Sequence, residues 1–266
     1  MSSPVDASGP GGGAGGPGAG PGAGVAKAPT PILASGLRKS FGAIRAVDDI
    51  SFELGAARIY GFLGPNGSGK TTLIRLLTGL GRADAGTAEV LGHRMPSRTT
   101  LGRIGYMTQS DGVYPALTVR ENVDFFASLY GVTDATAADG ALEIVHLADR
   151  TGALTAELSG GQRRRLSLAC ALVHSPTVLF LDEPTVGVDP LLRVEFWAHF
   201  RRLADAGATL VVSSHVMDEA DRCDELMFIR AGKVIARGTG AELRATTGTD
   251  DLEQAFLRFA GDEPSR

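Results

Sequence analysis

Gly64-Pro65-Asn66-Gly67-Ser68-Gly69-Lys70-Thr71-Thr72 has the residue types and the spacing, G-x-x-x-x-G-K-T, of a loop that holds phosphates. Glycine lets the backbone wrap so that successive N–H groups point inward at phosphate oxygens. The loop opens onto a helical pattern, Leu73, Ile74, Leu76 and Leu77, whose first N–H groups and dipole favour an anion. Lys70 offers a point charge to the β- and γ-phosphates, and Thr71 a hydroxyl to Mg²⁺. The apolar run Ile59-Tyr60-Gly61-Phe62-Leu63 comes just before. Strand, glycine loop, helix is the context in which this spacing means a phosphate-binding P-loop. The chain is expected to bind a nucleoside triphosphate.

Other groups capable of chemistry end other apolar runs. Asp182 follows Val178-Leu179-Phe180-Leu181 and suits a carboxylate that holds Mg²⁺ through water. Glu183, one residue on, is free to polarise an attacking water. Gln109 follows Ile104-Gly105-Tyr106-Met107-Thr108; it can reach the metal or the water, or be no more than a solvated strand end. His215 follows Leu210-Val211-Val212-Ser213-Ser214 and can contact the γ-phosphate or serve structure. Leu158-Ser159-Gly160-Gly161-Gln162 opens a helix with a serine and two glycines. That is either an ordinary serine-capped start or a second phosphate grip, and a second grip has a use if it serves the nucleotide of another subunit. His93, His146, His174 and His199 lack metal-ligand spacing and read as structural or solvent-facing. Cys170, in an apolar helical pattern, is expected in the core. Two isolated cysteines, Cys170 and Cys223, form neither a disulfide framework nor a zinc site.

The elements that must position these groups follow from pattern. Residues 1–31 are mostly Gly, Pro and Ala, bury almost nothing, and are expected to form a disordered leader. Ile50-Ser51-Phe52-Glu53-Leu54 alternates as a half-buried strand does, and 87–91 is a further strand. Residues 110–175 are mostly helical in pattern, with a capping-box spacing from Thr118 to Glu121. The continuous apolar runs at 178–181 and 208–212 suit buried parallel strands, separated by a helix over about 191–206. Residues 226–229 and 233–236 flank Ala231-Gly232 as a hairpin, and short helices end the chain. This alternation predicts an α/β domain over 32–246 with a mostly parallel sheet, a helical subdomain inserted at about 110–175, and a short tail at 247–266. The net charge of −4 gives no reason to expect nucleic-acid binding. No apolar run approaches the roughly 18 residues a membrane helix needs, so in any membrane process another polypeptide would cross the bilayer.

In order and in spacing, these motifs resemble the ATP-binding cassette (ABC) ATPases, from about residue 32 to 238. Phe41 stands where the family's adenine-stacking aromatic lies, usually Tyr; Phe keeps the stacking face and loses the hydroxyl. Residues 64–72 resemble the Walker A loop, Gln109 the Q-loop glutamine and Asp182-Glu183 the Walker B aspartate with the catalytic glutamate. Residues 158–162 match the ABC signature without substitution, Val188-Asp189-Pro190 resembles the D-loop, and His215 the switch histidine. The resemblance implies a P-loop NTPase (RecA-like) core, with an antiparallel β portion beside the parallel sheet. It implies ATP and Mg²⁺ as ligands, with Thr71, Gln109 and Asp182 near the metal. It also implies a head-to-tail pair, in which each ATP lies between one Walker A loop and Ser159, Gly160, Gly161 and Gln162 of a second ABC ATPase subunit. ATP closes that pair and hydrolysis reopens it, driving a separately encoded transmembrane permease. The chain is then expected in the cytoplasm, peripheral on the inner face of the membrane.

An alternative is a soluble ABC ATPase acting on DNA or ribosomes. Repair relatives carry a long coiled coil between Walker A and signature, whereas here residues 64–162 hold no heptad run. Thr108-Gln109-Ser110, the stretch 114–122 and the stretch 218–224 resemble cassettes of the ABC-2 exporter type, which export drugs, antibiotics, lipids or polysaccharides. Val113, Tyr114 and Leu117, after Gln109, are expected either to dock the permease or to form a small satellite core.

Overall fold

A computed structural model describes residues 30–110 and 112–261. The expected leader lies, through residue 29, outside the described residues. In chain order the elements are β1 (Ile32–Phe41), β2 (Ile44–Leu54), β3 (Ile59–Leu63), α1 (Lys70–Leu77), β4 (Ala85–Val90), β5 (His93–Arg94), α2 (Arg98–Leu101) and β6 (Ile104–Met107). Three helices follow, α3 (Val119–Leu129), α4 (Ala137–Ile144) and α5 (Gly160–Leu172). Then come β7 (Val178–Asp182), α6 (Pro190–Asp205), β8 (Thr209–Ser214), β9 (Glu225–Arg230), β10 (Lys233–Gly238), α7 (Gly240–Thr247) and α8 (Leu252–Gly261).

The strands make two sheets. One has the order β10-β9-β3-β8-β7-β6 and is parallel except for the β9–β10 hairpin. The other, β2-β1-β4-β5, is antiparallel. This is the P-loop NTPase α/β fold with its antiparallel portion. Side chains alternate across a strand, so β3, β7 and β8 each feed two cores. Ile59, Leu179, Leu181, Leu210 and Val212 pack towards α5 and α6. Tyr60, Phe62, Val178, Phe180 and Val211 pack towards α1 and the antiparallel sheet. Leu63 and Phe228 join a third cluster with Phe256 of α8. Each fully buried aromatic here contributes about 1.5–3 kcal/mol of burial.

Register brings the strand ends level. Leu63 pairs with Ser214, Ser213 with Asp182, and Leu181 with Met107. Whatever follows each of these four parallel strands therefore emerges at one edge, where open α/β sheets bind ligands. Capping boxes start three helices, at Thr118 (α3), Ser159 (α5) and Thr239 (α7). The spacing announced the first; the same S/T-x-x-E/Q signal stands at Ser159–Gln162 and Thr239–Glu242.

Candidate active site

The P-loop leaves β3 at Gly64 and turns on Ser68 N–H, which donates to Pro65 O at 3.2 Å. It enters α1 through Gly69, whose φ is +108°. Two close approaches require glycine here. A Cβ on Gly64 would lie 2.0 Å from Ile229 O, and one on Gly69 would lie 2.1 Å from Ala46 O. The loop is held from both sides, by β2 at Ala46 and by the β9–β10 turn, where Gly232 N–H donates to Ser68 O at 2.9 Å.

Asn66, Gly67, Ser68, Gly69, Lys70, Thr71 and Thr72 line a cleft of about 240 Å³ together with Gln109 and Glu183. Lys70 is 4% exposed, and its Nζ donates to Gly64 O (2.7 Å) and Pro65 O (3.0 Å). Burial pushes the ammonium below the ordinary lysine range, and the Glu183 and Asp182 carboxylates pull it partly back. A desolvated cation at the N-terminus of α1 is a receptor for an anion.

Asp182 is fully buried; Oδ1 accepts from Ser213 Oγ, and Oδ2 has no hydrogen-bond partner. An unpartnered buried carboxylate oxygen fits a Mg²⁺ ligand, since that ion takes one or two carboxylates and otherwise water and phosphate oxygens. Glu183 Oε1 lies 3.1 Å from His215 Nδ1. Glu183 itself has φ +55°, a left-handed conformation that costs a non-glycine residue about 1–2 kcal/mol. Its N–H donates to Ser213 Oγ (3.0 Å) and Ser213 O (3.2 Å). Its C=O accepts from the guanidinium of Arg164 on α5, which also donates to Gln109 O (2.6 Å) and Asp182 O (2.6 Å). Beside this, buried Glu219 accepts from Thr185 Oγ1 at 2.9 Å and lies 3.6 Å from Arg193.

The structure thus gathers the P-loop, Gln109, Asp182, Glu183 and His215 at one edge. Besides Gly64, Pro65, Asp182 and His215, two further expected groups do not line the cleft. Phe41 is 58% exposed at the tip of the β1–β2 hairpin, with Lys39 Nζ 5.5 Å from its ring centroid. Ser159 and Gly160 are exposed at the start of α5; Ser159 Oγ accepts from Gln162 N–H (3.2 Å), and Gln162 Oε1 from Ser159 N–H (2.9 Å). Asp189 caps α6, accepting from Leu192 N–H. Sequence reasoning missed Arg164, Ser213 and Glu219. The signal for Arg164 was its place on the buried stripe of α5, four residues before Leu168 and seven before Ala171.

Residues 47–186 match the family model described as "ABC transporter". The chain is 39% identical over 246 residues to "Probable multidrug ABC transporter ATP-binding protein YbhF" of Escherichia coli (strain K12), covering 88% of this chain and 42% of that protein. The chain therefore spans less than half the length of that relative. It is 41% identical over 240 residues to "Daunorubicin resistance ATP-binding protein DrrA3" of Streptomyces coeruleorubidus, covering 88% of this chain and 76% of that one. Among solved structures it is similar in fold to "Structure of ATP binding subunit of ABC transporter", with a TM-score of 0.80 and 24% identity, over 87% of this chain and 100% of that chain.

Proposed function

The chain belongs to the ABC transporter family of ATP-binding proteins, and we propose that it is the ATP-hydrolysing subunit of a membrane exporter, paired with a second cassette and driving a separate permease. One observation carries the proposal: the P-loop, Gln109, Asp182, Glu183 and His215 meet at the carboxyl edge of four adjacent parallel strands. The triphosphate lies on the loop N–H groups, and Lys70 turns from the Gly64 and Pro65 carbonyls to its phosphates. Thr71, Asp182 and Gln109 would hold Mg²⁺, which when bound neutralises phosphate charge. Glu183 orients and polarises the attacking water, and His215 steadies the Glu183 carboxylate.

Pairing is supported by what the cleft lacks. The exposed start of α5, at Ser159, offers N–H groups and a hydroxyl hydrogen but does not line the chain's own cleft. A second copy or a related cassette would bring it there. Docking on a permease is supported by an apolar groove of about 230 Å³ lined by Leu80, Leu101, Tyr106, Phe126 and Tyr130. Exposed Tyr114 and Phe125 stand nearby, with ring centroids 5.0 Å apart. Among the described residues no helix is long and apolar enough to cross a membrane. Export as the direction is supported by the multidrug and daunorubicin-resistance names of the relatives.

The test is a pair of variants. Glu183→Gln should bind ATP normally, lose about 10²–10⁴-fold in hydrolysis, and run as a dimer with ATP in light scattering. Lys70→Ala should weaken ATP binding about 10–100-fold, as loss of charge-assisted hydrogen bonds does. A Glu183→Gln chain that binds ATP yet stays monomeric under all conditions would remove the paired site.

A further inference from the structure

We infer that Arg164 is a positioning residue for hydrolysis: its guanidinium holds Glu183 in the left-handed conformation that aims its carboxylate at the cleft, and ties it to Gln109. The inference rests on the proposed ATPase function.

Glu183 follows the last residue of β7, where an extended chain would carry on along the ladder. Instead its φ is +55° and the chain turns. A glutamate has no intrinsic preference for that conformation, so its neighbours must impose it. Its N–H is fixed by Ser213 of β8. Its C=O is fixed by Arg164, through Nε at 3.1 Å and through Nη2. With both backbone groups of Glu183 held, the peptide planes cannot rotate back to the extended form, and the carboxylate stays 3.1 Å from His215 Nδ1.

The same guanidinium reaches two further carbonyls, those of Asp182 and Gln109. It therefore joins the end of β7 to the stretch after β6, and both to α5. Arg164 is 8% exposed, so these bonds form where water competes little. A planar fork with five donors can serve three carbonyls at once; a lysine ammonium or a glutamine amide cannot match that geometry.

Arg164→Gln and Arg164→Lys, in the full chain, test the inference with ATP affinity, kcat and thermal unfolding measured side by side. Both variants should bind ATP within about 2-fold of wild type, because Arg164 is not among the residues that line the cleft. The kcat should fall about 10–100-fold in Arg164→Gln, the scale of an ångström misplacement of a reacting group, and less in Arg164→Lys. Added to Glu183→Gln, Arg164→Gln should lower the residual rate by less than 2-fold or so, since both act on one step. If Arg164→Gln does not fold, Arg164→Lys decides the matter. A kcat of wild-type size in the folded variant, or ATP affinity lost in proportion to kcat, would overturn the inference while wild-type hydrolysis leaves the proposed function standing. A wild-type chain that does not hydrolyse ATP would overturn both.

Discussion

His174 shows how a single half-buried side chain sets a pH response. Its ring stacks on Tyr130 with centroids 3.8 Å apart, and the 3.1 Å contact from Nε2 to Ile104 O makes Nε2 the protonated nitrogen of the neutral ring. Burial pushes its pKa below the ordinary histidine range, against the opposing pull of the Ile104 carbonyl. The unfolded chain takes up a proton near pH 6.5 and the folded chain only below that. Stability from this site is thus complete above about pH 6.5 and falls as pH drops through the depressed value. His174→Gln should flatten the decline of the melting temperature between about pH 6.5 and 5, with His199, also held low by burial and by Arg202, leaving a residual slope. An unchanged slope would reassign the effect. At this scale the sequence was legible for the candidate groups that follow a parallel strand, Asp182, Glu183, Gln109 and His215, and for Lys70 at the start of α1. It marked Arg164 only by its place on α5 and Ser213 not at all: Arg164 bonds backbone carbonyls, and Ser213 bonds Asp182 Oδ1 and Glu183 N–H, partners that only the tertiary fold brings near.

Elements differ in how openly they announce themselves. The run at β3 and the glycines after it were plain, but β1 was not recognised as a strand. Gly36, at φ +57°, and shifts of register between Ala34 and Leu37 and again before Ser40 break its alternation. The helical pattern expected over 110–175 is also interrupted, since α4 stops at Ile144 and His146 turns to φ +55°. Two P-loop glycines separate conformational need from crowding. Gly67→Ala meets no atom within 4 Å and carries only the strain of φ +79°, about 1 kcal/mol. Gly69→Ala adds a Cβ 2.1 Å from Ala46 O. It should cost more, with a melting temperature lower by several degrees than that of Gly67→Ala, at about 2–4 °C per kcal/mol for a domain of this size. Equal melting temperatures would mean that β2 yields at no cost.

For the molecule as a whole, alternating strand and helix patterns were enough to anticipate a parallel sheet with an inserted helical part. Strand order was not legible, since it depends on which strands pair at long range. The expected docking stretch divides in the structure. Val113 is buried in the core, Leu117 is half-buried, and Tyr114 is 48% exposed. Asn122, fully buried, fixes the stretch by accepting from Tyr114 N–H (2.7 Å) and donating to Tyr114 O (3.1 Å). Tyr114→Glu should leave the ATPase rate of the free chain within about 2-fold, because surface changes cost little stability, and should abolish recruitment to permease-bearing membranes in a sedimentation assay. Recruitment unaffected by this change would count against docking at the aromatic patch.

The clamping of the P-loop has a consequence for how quickly and at what entropic cost a ligand is taken up. The loop's shape is already imposed by Ala46 on one side and by the β9–β10 turn on the other. Its backbone freedom, about 1–2 kcal/mol for each residue held, is surrendered once, when the chain folds, and not again at each binding event. A nucleotide arriving at such a site meets a receptor in its working shape, so that association waits on diffusion and on the release of Lys70 from its two carbonyls rather than on a search by the loop.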